Sequence, residues 1–221
     1  MFNEWIFPDN WQVLVITLCT VLHQRSAWRL AVIIAGIIFA KGRRTITSWF
    51  RAAGISRRYK AFYYFIGSIG SRTETIAAAL LEYMMHLIYK GKDKVLMGID
   101  DTPTRRYGPY FAIEQNFHDL KETEGAGQQQ VRNFWANIGV FHLNMWVHTM
   151  VELWAWNKSA RAICDRSGSP WDAISRRPSH ADRCAGLRRE VIAQTFFAGS
   201  GQRRKTQKIV RQLYKLIKLA A

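Results

Sequence analysis

Val95-Leu96-Met97-Gly98-Ile99 is the one stretch of this 221-residue sequence that reads as a buried strand, an apolar run set between the polar turn Lys92-Asp93-Lys94 and Asp100-Asp101-Thr102-Pro103. A strand must pair its backbone N–H and C=O groups along both edges. No second stretch offers itself as a partner, so Val95–Ile99 either pairs across a dimer or ceases to be a strand. The expected fold class is therefore mainly α, with at most a short residual strand.

Outward from that stretch the signals are helical. Toward the N-terminus, residues Trp11 to Leu22 and Trp28 to Ala40 read as an antiparallel helix pair, with the polar turn His23 to Ser26 between them. Thr45 to Gly54 reads as a short helix closed by its glycine, and Ile55-Ser56-Arg57-Arg58-Tyr59-Lys60 opens another. Ser71-Arg72-Thr73-Glu74 has the capping-box pattern and leads into Ile76, Leu80, Tyr83, Met84, Leu87 and Ile88 at helical spacing, up to Gly91. Glu82 and His86 stand four apart on the other face, as a surface pair.

Toward the C-terminus, Ile113, Phe117 and Leu120 form an apolar stripe that leaves Glu114, His118 and Lys121 on another face. Gln128 to Trp156 is apolar nearly all round, which implies a helix buried by its neighbours. Arg166 to Asp172 and Arg176 to His180 have the prolines and small polar residues of loops. Ala181 to Phe197 is helical, Gly199-Ser200-Gly201 breaks it, and a last amphipathic helix sets Ile209, Leu213, Leu216 and Ile217 against Lys208, Arg211, Lys215 and Lys218.

Thirty-two Lys and Arg against sixteen Asp and Glu give a formal charge of +16, beyond what solubility requires and in the range where phosphate backbones are natural partners. The alternatives, a ribosome-binding or membrane-surface protein, fit less well because the basic residues are spread through a globular composition. Leu30 to Ala40 is too short to span a bilayer, and acidic and amide residues stand where a signal peptide would carry basic ones. Cys19, Cys164 and Cys184 form neither a C-x-x-C pair nor an even set, which fits a reducing cytoplasm. No membrane partner is expected.

The stretch from Gly42 to Lys60 has helix-turn-helix proportions, with Arg43, Arg44, Arg57, Arg58 and Lys60 placed to meet DNA phosphates. The same pattern describes two ordinary packed helices with a solvated basic rim. Arg105 and Arg106 extend the candidate DNA-binding set. Read alone, Asp100-Asp101-Thr102-Pro103 is also the pattern of a turn with a capping carboxylate, and Glu114 with His118 that of an i, i+4 helix pair.

Several unusual strings occur in one order: Gly42-Arg43-Arg44-Thr45-Ile46-Thr47-Ser48-Trp49-Phe50-Arg51-Ala52-Ala53-Gly54, Gly98-Ile99-Asp100-Asp101-Thr102-Pro103-Thr104-Arg105-Arg106-Tyr107-Gly108-Pro109, Ala112-Ile113-Glu114-Gln115-Asn116-Phe117-His118-Asp119-Leu120-Lys121-Glu122, and Gly125-Ala126-Gly127-Gln128-Gln129-Gln130-Val131-Arg132-Asn133. Together with Ser169-Pro170-Trp171-Asp172 and Arg177-Pro178-Ser179-His180-Ala181-Asp182-Arg183, they resemble the bacterial insertion-sequence transposases with a ribonuclease H-like DDE domain. That resemblance implies mobile-element endonuclease chemistry: transposition and DNA recombination through metal-dependent cleavage and strand transfer. It makes Asp100, with Asp101 as close rival, the first catalytic and metal-binding carboxylate and Glu114 the last, with Mg²⁺ as cofactor.

Asp100 and Glu114 lie only 14 residues apart, however, and the segment that carries the second carboxylate and the main sheet in the family is absent. The resemblance thus implies an internally deleted chain, with enzymatic activity not expected to survive. Its organisation is a helical, DNA-binding N-terminal region at 1–92, a DDE-domain remnant at 93–156 and a basic helical C-terminal region at 157–221. The implied function is a transposase-derived protein that binds double-stranded DNA at transposon ends. The alternative is a helical interaction protein that oligomerises or joins intact transposase.

Overall fold

Residues 5–89, 118–129, 131–164, 166, 171 and 176–197 are described by a computed structural model of the protein. The protein is mainly helical, and among the described residues every regular element is an α-helix. The stretch Val95–Ile99 and the basic helix around Ile209–Lys218 lie outside the described residues. The chain divides into two compact units, Leu14–Thr149 and Met1–Val13 with Met150–Ala221.

Within Leu14–Thr149 the centre is α2, Gln24–Phe39, which follows α1, Asp9–Thr20. The helix begins where His23 Nδ1 accepts from the Arg25 N–H, 3.2 Å away, and it buries Leu30, Val32, Ile33, Ile34, Ile37 and Ile38. Each such side chain contributes about 1.5–3 kcal/mol by leaving water. Next comes α3, Ile46–Ala52, whose Thr45 and Ser48 form a reciprocal capping box. The end of α3 is as definite. Gly54, at φ +69°, donates to Arg51, and Ile55 N–H reaches back to the Phe50 carbonyl at 2.8 Å, the two bonds of a Schellman motif. Gly36 lets α2 and α3 touch, since any Cβ there would overlap the Trp49 carbonyl.

After a short turn, α4, Tyr59–Gly70, places Phe62 edge-on to both Trp28 of α2 and Phe50 of α3 at 5.6 and 5.7 Å between ring centres. The next helix, α5, spans Thr73–Ile88. The capping box expected at Ser71–Glu74 does not form. Arg72 is the N-cap, without a side-chain bond, because Ser71 closes α4 instead: its hydroxyl donates to the Ser68 carbonyl at 3.0 Å. Glu82 and His86 are the exposed pair expected, 4.0 Å apart.

The long helix α6, Phe134–Ala155, starts later than its apolar composition suggests. Asn133 caps it, its side-chain oxygen accepting from Ala136 N–H at 2.9 Å. In its first half α6 crosses α4 at two glycines. Backbone of Gly70 and Gly139 meets so closely that a Cβ on Gly139 would stand 3.0 Å from Gly70 N, and one on Gly70 3.0 Å from Gly139 N.

In the second unit, α7, Ala160–Ile163, is capped by Ser159 and lies against α8, His180–Phe197. Gly186 admits the close approach, because a Cβ there would stand 2.9 Å from the Ile163 carbonyl, and that carbonyl also accepts from Arg189. Ser179 and Asp182 start α8 by exchanging bonds, Asp182 N–H to Ser179 Oγ at 3.2 Å and Ser179 N–H to Asp182 Oδ2 at 2.9 Å. Asp182 also holds the buried Arg166 at 3.1 Å. Burial works to raise the Asp182 carboxyl, but the Ser179 hydrogen bonds with the Arg166 and Arg176 guanidinium groups prevail and hold it below the usual aspartate range. Buried His180 faces Glu152 at 2.8 Å, and Arg183 donates to the same oxygen at 3.0 Å.

Candidate nucleic-acid interface

Residues 10–73 contain ten Lys and Arg and no Asp or Glu. That imbalance was present in the sequence as a signal stronger than the helix-turn-helix spacing, because no local carboxylate can neutralise the cations. The fold then sorts the basic residues by neighbourhood.

Arg43, just before α3, and Arg51, Arg57, Arg58 and Lys60, along α3, the turn from 53 to 58 and the first turn of α4, are exposed. Arg58 sits at φ +59°, ψ +21°, a left-handed conformation that costs a non-glycine residue about 1 kcal/mol or more. It is also the N-cap of α4 and makes no side-chain capping bond. The first turn of α4 thus has no side-chain cap, its Ala61 N–H donating to the Arg58 carbonyl at 3.0 Å, and its positive dipole end is flanked by Arg57, Arg58 and Lys60. One face of α4 carries Phe62, Phe65, Ile66 and Ile69 inward, while Lys60, Tyr64 and Ser68 follow at four-residue spacing on the exposed face. Tyr64 is 79% exposed, an aromatic surface beside cations.

Arg44 has a different environment. Its guanidinium donates to the Ile37 carbonyl at 2.9 Å, satisfying one of the open carbonyls in the last turn of α2. Its backbone is held on both sides by the Gly125–Gln129 loop, with Arg44 N–H donating to Gln128 Oε1 at 2.9 Å and buried Gln129 donating to the Arg44 carbonyl at 2.8 Å. Gly125 adopts φ +75° there, where a Cβ would overlap the Arg44 side chain. The string from Gly125 to Gln129 therefore acts as a clasp on the start of α3. Nothing in its composition announced that role, because the partner lies more than eighty residues upstream.

Asp100, Glu114, Arg105 and Arg106 lie outside the described residues. Mg²⁺ takes oxygen ligands in near-octahedral geometry. Among the described residues no three carboxylates converge closely enough to share an ion, so those residues do not by themselves form the three-carboxylate site that the resemblance implies. No helix among them is long and apolar enough to cross a membrane.

The family model described as DDE superfamily endonuclease matches residues 17–181. No curated protein and no solved structure matches the sequence. The match covers most of the chain, from α1 into the first turn of α8, and the chain belongs to the DDE superfamily endonuclease family. Membership brings a transposase-type lineage whose members cut nucleic acid with divalent metal.

Proposed function

We propose that this chain is a transposase-derived protein that binds duplex DNA through α3, the turn from 53 to 58 and α4, and that it no longer cleaves. The observation that carries the binding reading is the exposed Arg57, Arg58 and Lys60 cluster at the N-terminus of α4, which no side chain caps, within a stretch free of carboxylates. Phosphates gain there from helix dipole, backbone N–H groups and full charges together. Lys60 and Tyr64 on the outer face of α4 are the side chains placed to reach into a groove, and Arg43 and Arg51 flank them.

Loss of cleavage is inferred from residue spacing. Only Asp101 is acidic between Asp100 and Glu114, and two-metal phosphoryl transfer requires carboxylates from separate rigid elements. In this reading residues 1–92 hold DNA, 93–156 are the remnant of the catalytic domain, and transposon ends are the natural target. The test is incubation of the full chain with supercoiled plasmid and Mg²⁺. Retarded but intact plasmid is expected; nicking that disappears in Glu114→Ala protein would overturn the inactive reading.

A second reading, as an interaction protein, draws on α5. Leu81, Met85 and Ile88 are exposed at four- and three-residue spacing, an apolar stripe suited to a helical partner such as a second copy or intact transposase. A stable oligomer with no affinity for duplex DNA would favour it over the first.

A further inference from the structure

In the unit formed by Met1–Val13 and Met150–Ala221, a cavity of about 280 Å³ opens among Glu152, Trp156, Lys158, Arg177 and Arg183, with Ile163 and Pro178 on its apolar wall. Its charges are unevenly committed. Arg183 donates to Glu152 at 3.0 Å, and Lys158 pairs with Glu190 at 2.7 Å while its ammonium sits 4.6 Å above the Trp154 ring. Arg177 is exposed and forms no ion pair with a described residue. Trp156 is 58% exposed at the same opening, an aromatic plane that the fold has not covered.

We infer that this cavity takes a nucleotide, with the base stacked on Trp156 and the phosphate held by Arg177. The chemistry argues for both halves of that ligand. Bare phosphate would use Arg177 and leave the indole and the Ile163–Pro178 wall idle, whereas an apolar ligand would leave Arg177 unused. The volume lies at the small end of ligand pockets, suited to one nucleotide and too narrow for a duplex. The planar guanidinium of Arg177 gives phosphate a two-pronged partner, and stacking tolerates any base. The inference is separate from duplex binding at α4, and each can fail without the other.

One nucleotide has two sources, free in solution or at the end of an unpaired DNA strand. Calorimetric titration of the full chain with dGMP, deoxyguanosine, inorganic phosphate and a 5′-phosphorylated single-stranded oligonucleotide separates them. The expected result is binding of dGMP at least about tenfold tighter than of phosphate or nucleoside, with Trp156→Ala and Arg177→Ala each weakening it about tenfold or more. Equal or tighter binding of the oligonucleotide assigns the site to DNA ends; binding of dGMP alone assigns it to free nucleotides. Both side chains are exposed, so circular dichroism of the variants should match the unaltered protein. Failure of dGMP and oligonucleotide alike to bind, phosphate binding as tightly as dGMP, or indifference to both substitutions would overturn the inference.

Discussion

Two glycines in helices provide a test of the packing with opposite expected signs. Gly139 of α6 lies where a Cβ would overlap the Ile66 carbonyl and stand 3.0 Å from Gly70 N and 3.3 Å from Gly70 Cα. All three are backbone atoms of α4, so no rotamer change relieves the overlap and the helices must part. Gly67, one turn before Gly70 on α4, has among the described residues only Asn133 Oδ1 within reach of a Cβ, at an ordinary 3.8 Å. Alanine is favoured over glycine in a helix by about 1 kcal/mol, a gain both substitutions share. Overpacking costs about 1–3 kcal/mol, and a backbone clash belongs at the upper end of that range. Gly67→Ala should therefore stabilise by up to about 1 kcal/mol, and Gly139→Ala should destabilise by about 2 kcal/mol net. At about 2–4 °C per kcal/mol the two variants should melt roughly 6–12 °C apart. Thermal and urea unfolding followed by far-ultraviolet circular dichroism would measure this. If the two variants shift together, or if Gly139→Ala melts above the parent, the close crossing of α4 and α6 is wrong.

Adjacent arginines should separate stability from binding. Arg44→Ala removes the donor to the Ile37 carbonyl and should cost about 1–2 kcal/mol in urea unfolding, whereas exposed Arg43→Ala should stay within about 0.5 kcal/mol and weaken duplex binding. Asp182 sets an acid limit: because its folded carboxyl lies below the usual range, its contribution is full above the ordinary aspartate value and is lost as pH falls through the depressed one. Urea midpoints recorded from neutral pH downward should show that acid limb flattened in Asp182→Asn protein.

Much of the helical architecture was legible because it rests on local signals. Thr45 with Ser48, and Gly54 at +69°, fix both ends of α3 from residues within one turn. The same logic over-read Ser71–Glu74, where the end of α4 claimed the serine. It also passed over Ser179 and Asp182 as a capping pair, Ser179 being read as loop and Asp182 as helix. Long-range features were not legible. Gln128 and Gln129 look like surface residues until the Arg44 backbone is set against them, and Gly139 looks like a weak point in a helix until α4 crosses it. For the candidate site, the basic residues of α3 and α4 could be named in advance, but the commitment of Arg44 to α2 could not. The family itself was legible through strings that no physical argument supplies.

The salt dependence of duplex binding tests the central claim most directly. With fluorescence anisotropy on a labelled duplex, the logarithm of affinity should fall linearly with the logarithm of salt concentration. The Arg57→Ala, Arg58→Ala, Lys60→Ala triple variant should show that slope shallower by about 3, near 0.9 for each phosphate that the removed cations had neutralised. An affinity indifferent to salt, or a triple variant with the parent's slope, would contradict duplex binding at the N-terminus of α4.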